Sequence, residues 1–302
     1  MDLTSKLITI WVQIRDLYLY VFRNALILNA YVDDHTWRGI RHRNWGDDLN
    51  YYLLSILSGR PVVIYQNFWL ARKLKRKNYL CIGTLLDAVN YSNHATVVWG
   101  SGVSGQERDF VHPQHICSVR GRKTYEFLKT HGVACPERFG DPALILPRVY
   151  KPVQIHKKYR LGIIPHVIDL HYSAIEEIRR TRPDILIIDL GHYIKWTDVI
   201  DQICSCEAVA SSSLHGLIVS DAYGVPNCWI TLSGKISGGL FKFYDYFSSI
   251  GRTETKPFQI TVASDIDRVD DLLVQWMPAA FDVDDIVEAC PFLNDKQRML
   301  CR

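Results

Sequence analysis

The run Ser211-Ser212-Ser213-Leu214-His215-Gly216 puts an imidazole in what reads as the first turn of a helix, directly after a short apolar run, Glu207 to Ala210. The first N–H groups of a helix carry partial positive charge and hold anions. The stretch therefore suits acid–base work on a phosphate or carboxylate, with His215 beside the anion and the serine hydroxyls expected to cap the helix. His166, after Pro165, is a second candidate acid or base, because imidazole titrates near neutrality. Arg120 is suited to bidentate binding of an anion, or else to a surface ion pair. Lys235, Lys242 and Arg252 surround the Gly-rich stretch Leu232 to Gly239 and either close over an anion or belong to a plain surface loop. Asp47 and Asp48 offer carboxylates to sugar hydroxyls, or cap a helix. Gly100-Ser101-Gly102 allows a ligand to approach the backbone closely. No Asp-x-Asp pair or His/Cys cluster suggests a metal. The Gly100-Ser101-Gly102 turn does not match GxGxxG with a following acidic residue, and no GxxxxGK[ST] is present, which argues against NAD and nucleoside triphosphates.

These residues need positioning, and the chain alternates apolar runs with amphipathic segments. Strands are expected at Pro61 to Tyr65, Tyr79 to Ile82, Ala95 to Trp99, His115 to Val119, Tyr159 to Ile164, Asp184 to Ile188, Glu207 to Ala210 and Asn227 to Thr231. Helices are expected after Asn44 up to Gly59, and over Lys123 to His131, Ser173 to Arg180, Thr197 to Cys204, Leu214 to Tyr223, Leu240 to Ser249, Asp265 to Trp276 and Asp282 to Ala289. Gly140 to Leu144 and Pro147 to Pro152 read as loop and linker, which divides the chain at 150/151. The pattern predicts an α/β protein of two parallel sheets. Gly100 to Gly102, Arg120, His166, His192 and Ser211 to His215 each follow a strand, and ligands of open parallel sheets bind outside the strands' carboxyl ends. The residues of both halves are thus expected to face one cleft.

The 302 residues carry a formal net charge of +3, too little to argue for nucleic acid, and their 48% hydrophobic content describes a globular chain with ample core. The eight cysteines form no CxxC pair, and no cleavable signal peptide is visible, so reduced thiols in a cytoplasm are expected. Residues 1–32 are apolar and aromatic, interrupted by Arg15, Asp16 and Arg23, and no run reaches the length of a membrane span. They read as a helix docked on its own domain or a partner subunit, or else as an amphipathic helix seated at a lipid surface. The basic run 71–77 reads as a solvated face, or as a contact for anionic lipid.

With these residues assembled, the chain resembles the polysaccharide pyruvyl transferase family over residues 40 to 252. Asn44-Trp45-Gly46-Asp47 is similar to the family's Asn-x-Gly-Asp turn, and Gly100-Ser101-Gly102 to its triple-glycine turn. Ser118-Val119-Arg120-Gly121 with Gly140-Asp141-Pro142 matches its Arg-bearing strand end. Ser211 to Gly216 is similar to the hallmark Ser-x-Arg-Leu-His-Gly, with Ser213 in place of the arginine, as in the exopolysaccharide ketal-pyruvate transferase branch. The resemblance implies a GT-B-like fold of two Rossmann-like domains facing across a cleft, 1–150 on the acceptor side and 151–302 on the donor side. It implies transfer of pyruvate from phosphoenolpyruvate, as co-substrate and without a cofactor, to two sugar hydroxyls of a lipid-linked glycan. In that reading His215, His166 and Asp47 are catalytic. Arg120, Ser212, Ser213, Leu214, Gly216, Lys235 and Lys242 bind the donor, one of the lysines making up for Ser213. Asn44, Asp48, Gly100, Ser101 and Gly102 bind the acceptor. The implied site is cytoplasmic, on the inner face of the plasma membrane if the leader docks there. Two other readings are a nucleotide-sugar glycosyltransferase, with Asp221 or Asp189 on the ribose, and a non-catalytic membrane-docked subunit of a polysaccharide assembly.

Overall fold

Among the described residues every strand pair joins in parallel, in two five-stranded sheets ordered β2-β1-β3-β4-β5 and β10-β9-β8-β6-β7. The computed structural model describes residues 3–37, 39–88, 91–106, 109–153, 156–235, 239–293 and 297–298. The chain forms two units, one of Met1–Pro142 with Asp282–Arg302 and the other of Ala143–Phe281. Numbered from its own first strand, each sheet has the order 2-1-3-4-5. That order reverses direction between its first and third strands, the place where open α/β sheets take ligands.

The first unit contains α1 (Leu3–Phe22), β1 (Leu26–Leu28), α2 (Trp45–Ser58), β2 (Val62–Ile64), α3 (Trp69–Lys73), β3 (Asn78–Leu80), β4 (Thr96–Trp99), β5 (His115–Ser118) and α4 (Arg122–Thr130). Asn44 is the N-cap of α2 and accepts from Gly46 N, so Asp47 and Asp48 occupy its first turn; Gly59, at φ +64°, ends it. The Asn50 amide accepts from Ile82 N at 2.8 Å and donates to Ile82 O at 2.9 Å, which fixes α2 to the end of β3. The leader is not one amphipathic segment, because Leu26–Leu28 is a fully buried strand between β2 and β3. Helix α1 runs back along the sheet. Its Gln13 accepts from Trp69 N beyond the carboxyl end of β2, and its Tyr20 hydroxyl accepts from Arg76 just ahead of β3. On its inner side, Asp16 and Asp34 share the Arg15 guanidinium, and burial pushes the Asp16 carboxyl up to about 7 against the pull of that charge.

The second unit contains α5 (Leu146–Val149), β6 (Tyr159–Ile164), α6 (Ser173–Thr181), β7 (Ile185–Ile187), α7 (Asp198–Cys204), β8 (Cys206–Ser211), α8 (Leu214–Ala222), β9 (Asn227–Thr231), α9 (Phe241–Ile250), β10 (Phe258–Gln259) and α10 (Val269–Leu273); α11 (Val283–Glu288) returns to the first unit. The expected linker at 140–152 is instead a 3-10 turn at Pro142–Ile145 running into α5. Ala143, Leu144, Ile145 and Leu146 are all fully buried, and an apolar run of that kind packs rather than hangs in water. The expected helix at 265–276 is a 3-10 turn over Ala263–Arg268 followed by the short α10. Strand β10 and helix α3 are too short to show a period, and neither was expected. The described cysteines are free thiols; Cys301, like residues 1–2 of the leader and 236–238 of the glycine loop, lies outside the described residues. Among the described residues no helix is long and apolar enough to cross a membrane.

Helix α8 is buried over almost its whole length, and its start presses on the ends of β6 and β8. A Cβ on Gly216 would overlap Ser211 Oγ and stand 3.1 Å from two Ile164 carbons. Ser211 Oγ has little freedom to retreat, since it donates to Ile164 O or Ser213 O and accepts from Ser213 N. Gly216→Ala should therefore cost about 1–3 kcal/mol as an overpacked core, read as a lower midpoint in urea unfolding.

Candidate functional site

The second unit's switch point lies between β6 and β8, and the loops leaving these strands carry Pro165-His166 and Ser211 to Ser213. His166 N donates to Ser212 Oγ at 2.9 Å, which ties one loop to the other. Ser213 is the N-cap residue of α8, with no side-chain capping bond; the expected capping by serine hydroxyls is replaced by Ser211 bonding around the turn and Ser212 bonding across to β6. The Ser213 hydroxyl therefore makes no cap to the first turn of α8. Leu214 and His215 fill its first turn, 5% and 8% exposed.

His166 is the best-defined titrating group here. Burial, aided by the Lys242 charge and opposed by Asp169, holds its ring down to about 4, so it is neutral at physiological pH. Its Nδ1 accepts from Ile168 N at 3.4 Å, which places the ring proton on Nε2. Lys242 stands in the first turn of α9, with its ammonium 5.6 Å from the Phe243 ring centre. Asp169 is buried and accepts from Ser233 Oγ, and Ser233 in turn accepts from Lys235 N, whose side chain is exposed. Of the expected donor residues, then, the structure groups Ser212, Ser213, Leu214, Gly216 and Lys242 with His166 and His215 in this unit, and Lys235 at the edge. Arg252 does not close over the glycine loop. It is buried and bonded to Asn227 at 2.6 Å and to Glu254, beside Asp221.

The first unit has its own cluster at the strand ends. Asn44 Nδ2 donates to Asp47 Oδ2 at 2.8 Å, and Asp47 Oδ1 lies 3.9 Å from where a Gly83 Cβ would be, past the end of β3. Asp48 is buried, its Oδ2 facing Arg43 N at 3.4 Å. Ser101 Oγ donates to Gly83 O at 3.0 Å, and Gly100, at φ +80°, passes so close to Pro142 that any Cβ would overlap its ring. Arg120 is completely buried. It donates from Nη1 to Thr84 Oγ1 at 2.8 Å, and its guanidinium lies on Gly102, where a Cβ would fall 2.5 Å from Cζ. Arg120 is therefore grouped with Asp47 and the glycine turn, in the unit expected to hold the acceptor. Sequence reasoning missed Thr84, Asp169 and Ser233. All three follow strands, so the rule that picked out His166 and Arg120 would have found them.

A family model for polysaccharide pyruvyl transferases matches residues 13–234. The chain belongs to this family. The matched span takes in both strand-end clusters and stops just short of Lys235 and Lys242. Two relatives agree with the match in extent. The chain is 30% identical to the uncharacterized protein L143 of Acanthamoeba polyphaga mimivirus over 61% of its own length and 69% of that protein. It is 29% identical to the succinoglycan biosynthesis protein ExoV of Rhizobium meliloti (strain 1021) over 74% of its own length and 66% of that protein. Family membership places the chain among transferases.

Three outcomes follow from the geometry and electrostatics of the two clusters. In an NMR titration the His166 ring should protonate near pH 4, and Lys242→Met should raise that midpoint without restoring 6.5, because burial is the larger cause. The folded ring binds protons more weakly than the unfolded one. The stability it contributes is thus complete above 6.5 and lost as the pH falls through about 4, and His166→Gln should flatten that decline. Gly102→Ala should push the Arg120 guanidinium off its seat and cost about 1–3 kcal/mol in urea unfolding.

Proposed function

We propose that this pyruvyl transferase family member moves the pyruvyl group of phosphoenolpyruvate onto two hydroxyls of one sugar, forming a cyclic ketal in exopolysaccharide synthesis. A 4,6-ketal on galactose or glucose of a lipid-linked precursor is the acceptor we favour. A proton adds to the methylene carbon, leaving an oxocarbenium-like C2 that the first hydroxyl attacks. The C2–O bond to phosphate then breaks, and the second hydroxyl closes the ring. Of the two hydroxyl protons, one balances the new methyl group and the other leaves with inorganic phosphate.

In this reading His215 is the proton donor, to the methylene carbon or on the phosphate side. The amide end of α8, from Leu214 to Gly216, and the charges of Lys242 and Lys235 hold the donor's anionic oxygens, where fixed positive groups favour the charge that develops. The Ser212 and Ser213 amides are already bonded to Ile164 O and Ser211 Oγ and shape the turn instead. Lys242 supplies the charge that Ser213 lacks. His166, neutral with its proton on Nε2, serves as a hydrogen-bond donor or as a base for a hydroxyl. Asp47 takes a hydroxyl proton, Asn44 holds it in place, and Asp48 and the Gly100-Ser101-Gly102 turn shape the acceptor side. Arg120 is the anion-binding cation of the first unit. The observation that carries the reading is the meeting of His166, Ser212 and Lys242 at the second unit's switch point in a chain of this family.

A nucleotide-sugar glycosyltransferase would need a carboxylate for the ribose. Asp221 accepts instead from Asn227 at 2.7 Å and from Tyr246 at 2.8 Å in a buried network, and Asp189 accepts from Gly191 N and His192. The test is phosphate release from phosphoenolpyruvate with a panel of aryl glycosides, run beside UDP-sugar donors. Wild-type protein should release phosphate only with both phosphoenolpyruvate and a glycoside. His215→Ala should lower turnover by about 10²–10⁴-fold, and Lys242→Met should act mainly on the KM for the donor. Turnover of UDP-sugar in place of phosphoenolpyruvate would overturn the assignment.

A further inference from the structure

Helix α1 is apolar on both sides, but its own unit covers only one. Inward, Val12 is fully buried, and Leu19 and Tyr20 pack on the cluster of Ala25, Ile27, Val63 and Phe68. Outward, Leu7, Ile10, Ile14, Leu17, Val21 and Phe22 are between 43% and 72% exposed. A helix covered on one face alone ordinarily carries polar residues on the other, and an exposed apolar patch of this extent marks an interaction surface.

What lies beside that face is basic. Residues 72–77 are all exposed, and Arg76 is fixed to α1 through the Tyr20 hydroxyl at 2.6 Å. Trp69, 51% exposed, lies under the Lys73 ammonium at 5.3 Å. At the C-terminal end of α1 a cavity of about 380 Å³ is lined by Arg60, Lys75, Arg76 and Lys77 together with Asn24 and Tyr20, and no carboxylate is among its described lining residues. The one acid of α1, Asp16, points inward and is fully buried.

We propose that the outer face of α1 and this basic cavity form a docking surface for an anionic lipid bilayer. The helix lies in the headgroup layer with its apolar side chains at the acyl boundary, and the cavity takes a lipid phosphate. Charge decides against a second copy of the chain as the occupant. Two such faces would bring basic runs together with no exposed acid on either helix to pair with them, since Asp16 is buried, and Tyr18 and Phe22 widen the stripe beyond a two-helix seam.

The test is flotation of the full chain with vesicles of phosphatidylcholine alone, or with a third of phosphatidylglycerol added. It needs neither donor nor acceptor, so its outcome is separate from that of the pyruvyl-transfer reading. The protein should float with the anionic vesicles and not with the neutral ones, less so at high salt. Ile10→Glu/Ile14→Glu and Lys75→Glu/Lys77→Glu should each weaken partition by about tenfold or more. These side chains are exposed, so thermal melts should match wild type. Failure of the wild type to float with anionic vesicles, or unaltered flotation of both variants, would overturn the proposal. So would light scattering that finds a dimer which Ile14→Glu converts to monomer, because the face would then belong to a second copy.

Discussion

How closely helix α8 can approach the ends of β6 and β8 is the constraint on which the second unit's strand-end cluster depends. The sheet must end there without a side chain between strand and helix, and Gly216 over Ser211 and Ile164 provides this. Because Ser211 closes the turn onto Ser213 while Ser212 bridges to His166, the serine hydroxyls hold the two loops together at the start of α8. An anion site made from a helix start needs a rigid turn of this kind. The first unit meets a related demand with a side chain. There Gly102 gives way to the Arg120 guanidinium, which is buried against Thr84 beneath the glycine turn.

Most of the strand pattern could be read from the sequence. Runs such as Tyr159–Ile164 and Asn227–Thr231 have both faces covered, and they appear as continuous apolar segments bounded by turn residues. Leu26–Leu28 escaped because it is short and merges with the apolar helix before it, so no change of period marks the boundary. The Ala143–Leu146 segment escaped for the opposite reason. Gly140, Pro142 and Pro147 around it suggest a loop, but its four apolar side chains decide for burial.

The places of candidate site residues were legible where position relative to a strand end identified them, and illegible where long-range pairing decided their surroundings. His166 and Ser212 fall in the first class. Arg252 and Asp221 fall in the second, since a cation beside a glycine-rich loop and an acid on a helix give no hint that they will be buried with Asn227 and Tyr246. The neutral state of His166 was also beyond sequence reading, because it is burial together with a lysine dozens of positions away that lowers its proton affinity.

The direction in which α1 runs along its sheet has a geometric consequence. Gln13 meets the chain past the carboxyl end of β2, and Tyr20 meets it before β3, so helix and strands share one axis. A plane resting against α1 is therefore parallel to the strands of that unit, and the edge bearing Asp47, Gly102 and Arg120 looks sideways along it rather than up from it. The thickness of one helix, about 10 Å, then separates sheet and plane. A sugar tethered to such a plane by a short stalk would reach that edge by gliding in from the flank.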